Sequence, residues 1–297
     1  MLSIGLALAA SLGFASSAIF ARAGMQGIKP LTSALISLAV SSVPAIVLVL
    51  VFASSDLKAL SLVALLLLLG LGAVNFLGGR TLNYLAIGRV GASRSSAILG
   101  TTVVFSAIFA ISVSGERPHF VVLLGTAGVV VGLVIATGES LHRGWGGDRR
   151  SLVGYLLALA ASVSYGGATV MANELSEAYG SPLMVSGFGL MFGLALLTPL
   201  AGRQAFRDLR ASRPDPEFVL YAGLSGLASG AAVTLLYYAV REGDVVVVAP
   251  VVAINPLVTL LLAHIFIAQL ERITRQLVVG TVLTVLGILV VVAGSTT

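Results

Sequence analysis

Asn75, Arg80 and Asn83 stand within one apolar run, AVNFLGGRTLNYLAIGR, from Ala73 to Arg89. On a helix they fall along one broad side, with Phe76 and Tyr84 nearby. A guanidinium there either holds a substrate carboxylate or carries its charge to the interface on a long stem, and the second reading is preferred. Gly78 and Gly79, just before it, permit close backbone approach or a local break. A second group lies in LLYYAVREGDVVVVAPVVAINPLVTLLLAHIF, from Leu235 to Phe266. There Pro250 and Pro256 remove backbone donors and free carbonyls, which in lipid need partners inside a bundle. They read either as packing kinks or as hinges. Asn255 would be costly against lipid and should point inward, towards another helix or a ligand. His264 lies nearer the end of the run, at an interfacial depth.

Aromatic residues complete the set. Tyrosines near the ends of apolar runs, such as Tyr237 and Tyr238, usually belong to an interfacial belt. Tyr165 sits mid-run beside Gly166 and Gly167, where pocket lining explains it better. Its ring can stack on an apolar or aromatic ligand and its hydroxyl can serve a polar group. The candidates for substrate contact are therefore Tyr165, Phe14, Asn75, Arg80, Asn83, Tyr84, Tyr237 and Asn255. The hinge or gate candidates are Gly78, Gly79, Pro250 and Pro256.

Other chemistry is poorly represented. Without cysteine there is no disulfide, thiolate site or cysteine nucleophile. The three histidines, His119, His142 and His264, are each alone in their segments. There is no paired-histidine zinc motif and no phosphate loop. No catalytic residue, metal or cofactor is expected. All twelve acids fall in loops or at the ends of apolar runs. A carboxylate that could hold a coupling proton or face a cationic drug is thus missing from the expected spans. That points to movement down a gradient, or to coupling without a buried carboxylate, of a solute with no net charge, such as a zwitterionic amino acid meeting the partial charges of broken helix ends.

These residues must be positioned by membrane helices. The 297 residues are 58% hydrophobic and 10% charged, with a mean hydropathy of +1.06. Soluble chains carry about 25% charged residues. A net charge of +5 in such a chain touches lipid headgroups rather than nucleic acid. Met1–Ala23 resembles a signal peptide but lacks a basic start, and reads as a retained first helix. Helices are expected near 2–22, 31–53, 60–88, 94–114, 119–138, 151–173, 182–202, 217–240, 245–268 and 274–294. Only short loops remain. Thirteen Lys and Arg fall in loops on one side against Lys58, Arg117 and Arg241 on the other, which places both termini outside.

The chain also repeats. Residues 6–11 and 157–162 both read LALAAS, and in the same register Phe14 answers Tyr165, Ala18 answers Thr169 and Ala21 answers Ala172. Further on, Gly115–Glu116–Arg117 answers Leu270–Glu271–Arg272, Gly125–Thr126 answers Gly280–Thr281, and Gly132 answers Gly287. This divides the chain into a five-helix repeat at 1–138, a connecting loop at 139–150 and a second repeat at 151–297. An odd number of spans makes the second half enter the membrane from the opposite side, an inverted-topology repeat common in secondary transporters. Small residues at four-residue spacing, Gly5, Ala9, Gly13 and Ser17, then Gly154, Ala158, Ser162 and Gly166, suit close helix packing.

With two five-helix halves, each closing on a Glu-Arg pair and a glycine-bearing last helix, the chain resembles the drug/metabolite transporter superfamily, in its ten-helix EamA-type branch. Pro256 stands where such proteins often have a proline in the fourth helix of a half; Thr101 takes that place in the first half. The tryptophan common in the first helix of each half is absent, and Phe14 and Tyr165 stand near those places. The resemblance implies an all-α integral membrane protein of ten transmembrane helices and cytoplasmic termini, in conflict with the charge count. It implies an exporter of neutral, chiefly aromatic and other apolar, amino acids in a bacterial inner membrane. Its partners would be those solutes and the bilayer, with no nucleic acid, and the chain would act as a monomer. Alternatives are a carrier of another small metabolite (a nucleoside, a sugar derivative or a drug) and a membrane-embedded enzyme acting on lipids.

Overall fold

A computed structural model describes residues 1–145, 149–212, 214–266 and 275–294. Ten helices run through them: α1 (Leu2–Gly24), α2 (Pro30–Phe52), α3 (Leu62–Val90), α4 (Ala92–Ser114), α5 (Phe120–Trp145), α6 (Arg149–Tyr179), α7 (Pro182–Ser212), α8 (Pro216–Arg241), α9 (Val245–Phe266) and α10 (Arg275–Gly294). Eight are long and apolar enough to cross a membrane, and α5 and α10 carry shorter apolar stretches, Phe120–Ile135 and Val282–Gly294. This is an all-helical, multi-pass membrane protein. Each expected span is present, with some ends displaced.

Local sequence accounts for the ends. Pro30 opens α2 at a position where its missing N–H costs nothing. Ser61 caps α3 by accepting from the Ala64 N–H at 3.1 Å. Gly91 alone separates α3 from α4, at φ +90°, a conformation only glycine adopts freely, so a loop expected at 89–93 shrinks to one residue. Helix α7 passes its expected end at residue 202 and continues to Ser212. Hydropathy marks where lipid stops, whereas the charged turns from Arg203 to Arg210 go on as helix beyond it. For the same reason the connecting loop expected at 139–150 needs correction: the chain is helical to Trp145 and again from Arg149. The Glu271–Arg272 pair lies outside the described residues.

Many large aliphatic side chains face outward, among them Leu50, Leu62, Leu66, Leu156, Leu200 and Leu261, while alanine and serine recur through the interior beside buried Leu68, Phe76 and Leu190. With lipid as solvent, helices gain little from burying leucine and associate through close backbone approach. The repeated glycines show it. A Cβ on Gly132 would lie 2.6 Å from the Thr284 backbone nitrogen, and one on Gly287 2.6 Å from that of Val129, so α5 and α10 touch backbone to backbone. Helix α1 packs on α8 as α6 packs on α3, and α1 meets α9 as α6 meets α4. Helices α2 and α7, and α5 and α10, pair with each other. Swapping each helix with the one five places on preserves these contacts.

Three helices are irregular near their middles. Helix α3 widens into π turns over Gly72–Arg80. Helix α4 breaks at Gly100–Thr101 and α9 at Ala253–Ile254. Pro256 is the second residue of the segment Asn255–Phe266, so it starts a helix rather than kinking one. Helix α4 breaks without a proline: Gly100 lacks a side chain, and the Thr101 hydroxyl donates to the Ile98 carbonyl at 2.7 Å. The two breaks meet, since a Cβ on Gly100 would sit 3.4 Å from Pro256 Cγ.

Candidate functional site

The wide turns of α3 set the site's geometry. In a π-helix the hydrogen bonds run between residues five apart, which stacks side chains at that spacing about one turn above each other. Asn75 and Arg80 are such a pair. Asn75 donates its amide N–H to the Tyr237 hydroxyl, tying α3 to α8. Arg80 is 3% exposed, donates from Nη1 to Ser41 Oγ at 3.0 Å, and lies 5.1 Å from the centroid of the Phe76 ring. The preferred snorkelling reading is therefore corrected: Ser41 and Phe76 hold the guanidinium within the protein, where the interface is out of its reach.

One turn on, the Tyr84 hydroxyl donates to Ser37 Oγ at 2.7 Å and lies 2.6 Å from Ser225 Oγ. Ser17 and Ser225 exchange hydrogen bonds with each other's carbonyls, at 2.9 and 2.8 Å. Asn83 accepts from Ser95 at 3.0 Å. Tyr165 crosses α3 at Gly79, where a Cβ would lie 2.6 Å from the ring, and its hydroxyl faces Arg80 and Asn83. The carbonyl of the Asn255 side chain accepts from Thr259 at 3.1 Å.

All eight residues expected to touch substrate line one cavity: Phe14, Asn75, Arg80, Asn83, Tyr84, Tyr165, Tyr237 and Asn255. The cavity and its open mouth together hold about 1070 Å³ of empty space. Its walls come from α1, α3 and α4 of the first half and α6, α8 and α9 of the second. Tyr237, fully buried, is no belt residue. Of the four hinge candidates only Pro256 lines the cavity. Gly79 lies under Tyr165, Gly78 beside Ser164, and Pro250 is buried within the first segment of α9. The hydroxyls of Ser96, Thr102, Ser106, Thr169 and Ser229 also line it and had not been singled out. Serine and threonine are common in membrane helices, where they bond back to a carbonyl one turn earlier, so they give no signal. No Asp or Glu among the described residues lines the cavity.

Glu116 works elsewhere. It follows Gly115, at φ +70°, and its two carboxylate oxygens accept from the Val245 and Val246 N–H groups, both at 3.0 Å. It thereby caps α9 from the loop after α4. Burial pushes this carboxyl above the ordinary carboxylate range, with Asp244 and Glu174 adding to it, against the two N–H groups that pull it down. A raised value in the folded chain means that the proton is held more tightly there than after local opening, so this contact is strongest below the unfolded value and weakens as pH rises through the raised one. Hydrogen exchange, corrected for intrinsic rates, is expected to show the Val245 and Val246 amides losing protection as pH rises. Glu116→Gln, uncharged at every pH, should remove that dependence, and equal protection at all pH values in the wild type would exclude Glu116 as a pH-dependent contact.

A cavity walled by both halves of a multi-pass membrane protein is the place where a transporter holds its solute. The profile of the EamA-like transporter family matches residues 1–138 and again residues 152–293, and the chain belongs to that family. An uncharacterized transporter from Clostridium kluyveri is 27% identical over 199 residues, which are 66% of this chain and 62% of that protein. The match thus spans less than two thirds of that relative's length. A protein of known crystal structure shares the fold at 17% identity, with a TM-score of 0.76 over 99% of this chain and 97% of its own.

Proposed function

We propose that the chain exports neutral amino acids, chiefly apolar and aromatic ones, across a bacterial inner membrane by alternating access. The observation that carries this reading is the cavity between the halves, with an aromatic wall and a single buried guanidinium. Phe14, Phe76 and Tyr165 present ring surface to a side chain, and Arg80 presents donors to a carboxylate. Repeats of five helices each, at 1–138 and 151–297, make the halves opposite in orientation. Rocking one against the other then exposes the same cavity to each side in turn. The breaks of α4 and α9, in contact beside the cavity, supply points at which these helices can bend. A single chain holds the whole cavity, which favours a monomer as the working unit.

Counterflow of labelled phenylalanine, threonine and glutamate in proteoliposomes tests this. Saturable phenylalanine flux, weaker threonine flux and no glutamate flux are expected. Tyr165→Ala should raise the KM for phenylalanine roughly 3- to 10-fold, the worth of one aromatic pair. A Tyr165→Ala variant with unchanged KM would remove the ring from the site. Absence of flux for both phenylalanine and threonine would exclude amino acids as the cargo of this transporter.

A further inference from the structure

We infer that the cavity recognises its substrate as a monoanion: Arg80 takes the carboxylate, and no acid among the described residues that line the cavity is provided for the ammonium. This rests on the cavity being the transport site and moves its preferred cargo from the amino acids proposed above to the corresponding acids without the amino group. Apolar acids that lack the amino group are then better substrates than the amino acids themselves.

Arginine keeps its charge even when buried. Arg80 uses one of its five N–H donors on Ser41, and no carboxylate among the described residues is one of the charged or polar groups that act on it. The empty cavity therefore carries an uncompensated positive charge, an expensive arrangement that a bound anion relieves. A monoanion with two oxygens leaves the site neutral and meets the guanidinium through paired hydrogen bonds. A zwitterion brings a second cation into the same enclosure and leaves the net charge where it was.

What an ammonium would lack is a counter-charge: Asn83 and Asn255 offer only neutral amide oxygens, each already accepting one hydrogen bond, from Ser95 and from Thr259. A second hollow, at the end of the bundle where α1 and α3 finish, is lined by Arg22, Lys29, Arg89 and Arg150 against a single acid, Asp208. Such a field concentrates anions at that end.

The anion also settles the driving force. Arg80 belongs to the protein and its charge does not leave with the solute, so each turnover carries one negative charge across. An inside-negative potential of 100 mV then drives export to a ratio of about fifty-fold, with no proton-binding carboxylate needed. A zwitterion would gain nothing from the same potential.

Three probes of one shape separate the possibilities: L-phenylalanine, L-3-phenyllactate, in which a hydroxyl replaces the ammonium, and phenethylamine, which lacks the carboxylate. Wild-type protein is expected to bind phenyllactate at least tenfold more tightly than phenylalanine by calorimetry, and phenethylamine not at all. In proteoliposomes, after subtraction of protein-free leakage, phenyllactate should produce a current on solid-supported membranes, and a valinomycin-clamped 100 mV should shift its accumulation about fifty-fold. Phenylalanine should produce no current. Phenylalanine bound and carried as well as phenyllactate, or phenyllactate flux blind to the potential, would overturn the inference and leave amino-acid transport standing. If neither acid binds or moves, the proposed function falls as well.

Discussion

Arg80→Gln should abolish saturable flux and, in the same protein, raise the melting temperature of the empty carrier. The two effects have one cause. Removing the guanidinium deletes the charged donor pair for the carboxylate, worth roughly 2–5 kcal/mol, so substrate affinity should fall about 30- to 5000-fold. The same change relieves a buried charge that has no carboxylate partner among the described residues, a cost of several kcal/mol. Against that stand the hydrogen bond to Ser41, which a glutamine amide can keep in part, and the contact with the Phe76 ring, about 2 kcal/mol each. The balance favours the variant by a few degrees. Arg80→Lys, which keeps the charge but loses the planar fork, should retain measurable flux with a raised KM. Melting followed by size exclusion, together with counterflow, reads both quantities. A glutamine variant both inactive and less heat-resistant would make Arg80 a structural residue.

The membrane spans were legible because hydropathy reports the solvent around a helix, and lipid leaves a strong signature. The cavity's candidates were legible by the complementary rule, since amides, tyrosines and an arginine within apolar runs are too costly to face lipid. Direction was harder. Arg80 lies five residues from Asn75, toward opposite edges of the broad side that a regular α-helix gives them, and the wide turns over Gly72–Arg80 bring that spacing closer to one turn. Nothing in the two glycines before Arg80 distinguishes a wide turn from a close contact, and the structure makes Gly79 both. The break in α4 was hidden because its proline equivalent is Thr101, and a glycine next to a self-bonded threonine carries no plain signal. The cap that Glu116 places on α9 joins positions far apart in sequence. The repeated Glu-Arg pair pointed to a shared duty at the ends of the halves, without naming the partner.

Gly226→Leu should leave no folded protein to purify, although the residue touches neither the cavity nor any charged group. Helix α8 crosses α2 there, and a Cβ on Gly226 would fall 2.3 Å from the Ser37 backbone carbonyl oxygen. Side-chain rotation cannot relieve an overlap with backbone, so the two helices must part. Parting them pulls Ser225 and Ser37 from Tyr84, whose hydroxyl joins both. With lipid competing equally for apolar side chains, association rests on such contacts, and the loss is not recovered by packing elsewhere. Even Gly226→Ala should lower the melting temperature markedly, since the added methyl meets the same oxygen. Gly5→Ala is the matched control: no atom lies within 4 Å of its would-be Cβ, and a mid-helix alanine is about 1 kcal/mol better than glycine. Its expression and melting temperature should equal or exceed the wild type. If Gly226→Leu instead purified as a monodisperse, transport-active protein, close approach of α2 and α8 would not be what holds the halves together.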